Sequence, residues 1–188
     1  MVFEDKNLRF DEQVFNFLSP FHNESNDKLM NFITFFGSQY FLLPANIVLA
    51  AVFLFYKKHR SYSIKIASIA ITSTAIMFLL KTILKRQRPN VPLISQAHGY
   101  SFPSGHTFTS MVFFGMVAYV VYKSIQNRFL KWLLIIILVC FTFMVGFSRV
   151  YLRYHYASDV IAGFCLGIIW LLIAKWLLIK PDKVLESR

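Results

Sequence analysis

Apolar and polar positions alternate along this chain in two distinct ways. Residues 1–28 are polar and acidic, so a cleavable secretory signal is not expected among them. Within them, Phe10, Val14, Phe15, Phe17 and Leu18 are interleaved with Asp11, Glu12, Gln13 and Asn16, with Pro20 as a stop. That pattern predicts a short amphipathic helix lying on a membrane surface. From there on the apolar stretches become continuous. Five of them, Asn31–Tyr56, Tyr62–Leu84, Thr107–Tyr122, Phe129–Phe147 and Ala157–Ile179, are long enough or nearly so to cross a bilayer. The first holds Gly37, Pro44 and Asn46, which predicts a kink.

The expected fold class is therefore all-α: an integral membrane bundle of about five transmembrane helices with an N-terminal interfacial helix. The chain divides into a polar and interfacial segment, 1–30, a membrane domain, 31–180, and a tail, 181–188. Composition agrees, with 56% apolar and only 15% charged residues in 188, where soluble domains carry about a quarter charged. Cys140 and Cys165 fall inside apolar runs and are expected to be small buried hydrophobes.

Charge placement adds more. The net charge is +11, yet no basic, aromatic-interleaved soluble module is present, so nucleic acid is not an expected partner. Between Asp27 and Asp159 there is no carboxylate at all. Hard cations need oxygen ligands, mostly carboxylates, so neither a metal site nor a cofactor is expected. Placing the basic segment 57–60, the 123–131 connection and the 180–188 tail in the cytoplasm satisfies the positive-inside rule and puts the N-terminus outside. The outer connections then carry Lys85, Arg86, Arg88, Arg149 and Arg153, with Lys81, His98, His106, His155 and Asp159 close by. Ionisable groups at membrane depth are functional candidates.

Three short motifs organise them. In Lys81-x6-Arg88-Pro89 two cations meet at the end of a span; they repel unless an anion sits between them, and arginine offers forked donors to phosphate oxygens. A basic cluster that binds lipid headgroups is the plainer alternative for this motif alone. In Pro103-Ser104-Gly105-His106, Ser104 can cap the next helix and Gly105 lets a ligand approach the backbone. The first amides of that helix then face an anion, with His106 beside it. An ordinary capped helix with a surface histidine would look the same. In Ser148-Arg149-x5-His155-x3-Asp159, the histidine and aspartate share one helical face. The carboxylate can fix the imidazole tautomer and leave the other nitrogen free as a nucleophile.

The three motifs, in this order and on one membrane face, resemble the type 2 phosphatidic acid phosphatase superfamily, which includes the vanadium haloperoxidases. Its pattern K-x6-R-P, P-S-G-H, S-R-x5-H-x3-D is intact, and the resemblance covers roughly residues 30–180. Many membrane members have six spans, one more than is counted here. The resemblance implies that His155 is the nucleophile, Asp159 its orienting partner and His106 the general acid and base. It implies a phosphate cradle of Lys81, Arg88, Arg149, Ser104 and Gly105, working without a metal. It also implies a membrane lipid phosphate or diphosphate as substrate, with undecaprenyl diphosphate or phosphatidylglycerol phosphate favoured. Phosphate, vanadate or tungstate are the expected site ligands. The expected location is a bacterial inner membrane, with the site facing the periplasm or exterior. The alternatives are a non-catalytic protein that binds or transports lipid phosphate, which would not need an imidazole aligned by a carboxylate, and a haloperoxidase-like enzyme.

Overall fold

The computed structural model describes residues 6–55, 60–89, 93 and 99–179. His59, His98 and the tail lie outside the described residues. The chain forms seven α-helices in those segments: α1 (Lys6–Leu18), α2 (Glu24–Phe35), α3 (Gln39–Phe55), α4 (Arg60–Leu84), α5 (Gly105–Ser124), α6 (Arg128–Tyr151) and α7 (Ala157–Ile179). Five segments are long and apolar enough to cross a membrane; α2 and α3 together make the first of them, Glu24–Phe55.

That first crossing begins at Glu24 rather than Asn31, because Asn23 caps α2 by accepting the Asn26 N–H. It is interrupted between Phe35 and Gln39, while Pro44 is accommodated inside α3. The break brings Gly37 against α5 and α6. A Cβ there would lie 2.6 Å from Val145 Cγ1, 2.9 Å from Ser110 Oγ and 3.3 Å from His106 Cβ. Only glycine lets the chain turn this close to the bundle interior.

Helix α5 is the centre of the bundle, packed against α4, α6 and α7. Phe108, Val112 and Met116 of α5 join Ile66, Ile69 and Met77 of α4 and Ala174 of α7 in the main apolar core. Gly163 and Gly167, one turn apart on α7, let that helix approach Thr107 and Met111 of α5 closely. Outward faces are apolar as well: Ile136, Ile137, Ile168 and Leu172 are exposed, as befits a lipid-facing surface. This corrects the expectation for the cysteines. Cys140 and Cys165 are both exposed, because in a bilayer the outside of a bundle is as apolar as its inside and hydrophobicity alone does not mark burial.

The amphipathic helix forms as expected over α1 and keeps Phe10 and Phe17 exposed. Its opposite face is docked. Val14, Phe15 and Leu18 pack on Val150, Ala157, Val160 and Phe164, at the junction of α6 and α7.

Candidate active site

The three motifs converge at one end of the bundle, through backbone bonds that tie their loops together. Ser101 N–H donates to Arg86 O at 2.7 Å and Ser104 N–H to Asp159 O at 3.1 Å. Tyr154 and His155 N–H both donate to Arg149 O, at 3.0 and 3.2 Å. Two turns into the site use non-glycine residues in the left-handed region, Lys85 (φ 47°) after α4 and Arg153 (φ 54°) after α6. Each redirects the chain so that the residues following it face inward.

His155 is buried, and both ring nitrogens have partners. Nδ1 lies 3.4 Å from Asp159 Oδ2 and 3.3 Å from Ser101 Oγ. Nε2 lies 3.3 Å from an Arg88 Nη, which also donates to Tyr154 O at 2.7 Å. A guanidinium can only donate, so Nε2 is the acceptor and the proton of a neutral ring sits on Nδ1. Burial, and then the charges of Arg149, Arg88 and Lys81, hold the His155 pKa well below the usual imidazole value. The ring is therefore neutral at pH 7, with its Nε2 lone pair directed at the cationic side of the site.

Asp159 is fully buried and accepts at both oxygens. Oδ1 takes an Arg86 Nη at 2.5 Å, and Oδ2 takes Ser101 O–H and, at 3.0 Å, Tyr156 N–H. It stands in the first turn of α7, where the helix dipole favours a carboxylate.

The cations gather on the Nε2 side of the buried His155 ring. Lys81 Nζ donates to Tyr100 O at 2.6 Å. A Cβ on Gly105 would lie 3.6 Å from Lys81 Cε, which puts the start of α5 against this lysine. Arg88 Nε donates to Gly99 O at 3.0 Å, and burial pulls its pKa below the ordinary guanidinium value. Arg149 donates to Thr34 Oγ1 at 2.9 Å and stacks on the Tyr154 ring at 4.3 Å, while its buried Nε has no hydrogen-bond partner among the described residues. Ser104 caps α5: its hydroxyl accepts from Thr107 N–H and, at 2.9 Å, from Thr107 O–H. His106 follows in the first turn, and Arg149, His155, Arg88 and Lys81 all act on it electrostatically. Lys81, Arg88, Gly105 and His106 keep partial exposure, whereas Ser104, Arg149, His155 and Asp159 are buried. All eight sequence candidates thus lie in one cluster that is open on its cationic side.

Four further residues contribute, of which sequence reasoning had singled out only Arg86, as one of the outer cations and without a partner role. Ser101 and Arg86 hold Asp159, Thr34 holds Arg149, and Asp11 reaches Arg86 from α1 at 2.7 Å. Arg86 had its signal as a cation in an outer connection, and of the other three only Asp11 had one, as a carboxylate within the apolar stripe of an amphipathic helix. Arg153, another of the outer cations, places its guanidinium 5.6 Å from the Phe15 ring.

Known proteins share sequence and fold with this chain. The family model described as the PAP2 superfamily matches residues 62–181. The chain is 31% identical to phosphatidylglycerophosphatase B of Bacillus subtilis over 79% of its own length and 73% of the relative's. It is 30% identical to undecaprenyl-diphosphatase BcrC of the same organism, over 79% and 72%. Among solved structures, it is similar to a transmembrane PAP2 type phosphatidylglycerolphosphate phosphatase from Bacillus subtilis. The TM-score is 0.86 at 27% identity, covering 97% of this chain and 91% of that one. Aquifex aeolicus LpxE is similar with a TM-score of 0.68 at 26% identity, covering 94% and 99%.

Proposed function

The chain belongs to the PAP2 superfamily, and from that premise we propose that it is a membrane phosphatase that hydrolyses a lipid phosphate or diphosphate through a phosphohistidine on His155. One observation carries the reading: a buried imidazole with Nδ1 on a carboxylate and Nε2 against Arg88, with the charges of Lys81 and Arg149 also acting on the ring. A protein that only held phosphate would gain nothing from that alignment.

The phosphoryl group enters between Arg88 and His155, exchanging the Arg88–Nε2 contact for contacts to phosphate oxygens. Lys81, Arg88, Arg149, whose Nε has no partner among the described residues, the Ser104 hydroxyl and the Gly105 amide neutralise the developing charge, as prearranged donors do in a dry site. Nε2 attacks phosphorus in line with the leaving oxygen, the P–O bond breaks, and His106 delivers its proton to that oxygen. Asp159 stabilises the positive charge that forms on the ring. Water, deprotonated by His106, then attacks the same phosphorus from the vacated side, breaks the P–N bond and frees phosphate.

The names of the relatives favour phosphatidylglycerol phosphate and undecaprenyl diphosphate as substrates. Both keep their tails in the bilayer while presenting phosphate at the ends of the spanning helices, where this site lies. Helix α1 docks at that same end, as an odd number of spans and an exterior N-terminus require. We place the enzyme in a bacterial cytoplasmic membrane with the site on the exterior or periplasmic face.

The test is phosphate release from a panel of these lipids by the purified protein, with His155→Ala as control. Turnover that persists in EDTA and is inhibited by vanadate or tungstate supports the mechanism. Loss of turnover in EDTA with rescue by Mg²⁺ would contradict it.

A further inference from the structure

The buried face of α1 begins with a charge. Asp11, Val14, Phe15 and Leu18 recur at three- and four-residue steps, and the last three pack apolar side chains onto α6 and α7. Asp11 is fully buried with them. Its Oδ1 accepts Ser158 N–H at 2.9 Å, and its Oδ2 accepts Ser158 O–H and Arg86 Nη, both at 2.7 Å. Ser158 N–H is one of the first amides of α7 and has no acceptor within that helix, so Asp11 supplies from another helix the cap that α7 needs. A helix required only to lie on the bilayer would carry an apolar residue here, because a buried carboxylate is costly unless paired.

The other half of Arg86 leads into the site. One of its Nη atoms holds Asp159 Oδ1 at 2.5 Å and Ser158 Oγ at 2.7 Å, and the guanidinium lies over the Tyr156 ring at 4.1 Å. Arg86 is 6% exposed in its side chain and both carboxylates are 0% exposed, so bulk water screens none of the three. The carboxylate that orients His155 is thus held by an arginine whose second anchor is the N-terminal helix.

We propose that Asp11 is a positioning residue for phosphoryl transfer, acting through Arg86 and Ser158 to fix Asp159 and so the ring of His155. The proposal rests on His155 being the nucleophile. Its electrostatic content follows from the charges around that ring: Lys81 from α4, Arg86 and Arg88 after it, His106 from α5, Arg149 from α6, Tyr154 and Tyr156 beside it, Asp159 from α7 and Asp11 from α1, whereas Glu12 lies on the exposed side of α1, reaches Tyr156 as the weakest of its charges and is screened by water. Asp11, Arg86 and Asp159 together carry one net negative charge against the imidazole. Asp11→Asn makes that group neutral, leaves Asp159 fully committed to Arg86 and withdraws stabilisation from the cationic phosphohistidine.

The experiment compares the full chain in detergent micelles with Asp11→Asn, Asp11→Glu and Glu12→Gln, the last removing a charge from the exposed side of α1. For Asp11→Asn, kcat per folded molecule falls about 10–100-fold, the scale for losing an outer hydrogen-bonding partner of an active centre. KM stays within about twofold, because Asp11 touches no substrate. The acid limb of the kcat/KM profile moves to lower pH by roughly 0.3–1 unit, the Coulomb effect of removing one charge at ~10 Å. Asp11→Glu restores the acid limb, and Glu12→Gln behaves as wild type. Equal kcat per folded molecule with an unmoved acid limb would reduce Asp11 to a packing residue and overturn the proposal. Should Asp11→Asn fail to fold, Ser158→Ala decides: it loosens the link and keeps every charge, so kcat falls severalfold with KM and acid limb unchanged, and a wild-type kcat overturns the proposal. A wild-type enzyme that forms no phosphohistidine sinks the functional reading itself, whereas a wild-type phosphohistidine with indifferent variants at 11 and 158 sinks only this one.

Discussion

Asp159→Asn is nearly isosteric, yet every group facing the carboxylate is a donor: Arg86 and Ser101, Tyr156 N–H and the Nδ1 proton of His155. Whichever way the new amide turns, its NH₂ meets donors, and the buried Arg86 loses one of the two carboxylates that it holds among the described residues. Removing one partner of a buried ion pair costs about 3–5 kcal/mol. Asp11 still pairs with Arg86 at 2.7 Å, which keeps the cost near ~3 kcal/mol. For a chain of this size that lowers Tm by roughly 6–12 °C. The kinetic loss is larger, on the order of 10³–10⁴ in kcat, as when a catalytic histidine loses the carboxylate that sets its tautomer. Ser101→Ala is the matched control: it deletes one donor and leaves the charges, for about 1 kcal/mol. Thermal unfolding in detergent and phosphate release per folded molecule measure both effects. A Tm within a degree of wild type together with less than a tenfold loss in kcat would refute the reasoning.

Three other predictions concern neighbouring groups. His106→Ala loses roughly 10²–10⁴-fold in rate on a lipid phosphate, and the defect shrinks on a nitrophenyl phosphate, whose leaving group needs little protonation; a defect of equal size on both substrates would remove His106 from the acid role. Gly37→Ala forces a methyl group to within 2.6 Å of the buried Val145 and 3.3 Å of His106 Cβ, so stability falls by about 1–3 kcal/mol and kcat falls with it; unchanged Tm and kcat would refute the packing argument. His155 also sets a pH dependence. Its folded pKa is depressed, so below about pH 6.5 the unfolded chain binds a proton that the folded chain does not. Its contribution to stability is therefore complete above that pH and is lost as pH falls toward the folded pKa. Wild-type Tm should drop more between pH 7.5 and 5 than that of His155→Gln, and equal drops would count against a buried neutral ring.

The spans and the three motifs were legible because each leaves a local signature: long apolar runs, and cations or histidines at fixed spacing where a membrane chain should have none. The helix break beside Gly37 was legible as a kink but not in position, since Pro44 is the stronger helix breaker in isolation and tertiary packing put the break elsewhere. The pairing of the supporting groups was not legible. Asp11 and Asp159 are held by one arginine across gaps of 75 and 73 residues, and no periodicity in the sequence encodes such a pairing. Tyr154 and Tyr156, which flank the nucleophile and carry Arg149 and Arg86 on their rings, were likewise hidden among unspecified motif positions. The turns at Lys85 and Arg153 gave no warning either, because neither is a residue that favours the left-handed region.

The central claim is covalent: the phosphoryl group passes through Nε2 of His155. Rapid acid-free quenching of the enzyme during turnover of a ³²P-labelled lipid phosphate measures it directly. The mechanism predicts a labelled protein whose label is stable to alkali and lost in acid, as a phosphoramidate is. The label should be absent in His155→Ala and present, turning over slowly, in His106→Ala. Label that survives in His155→Ala, or that resists acid and leaves in alkali, would contradict the account.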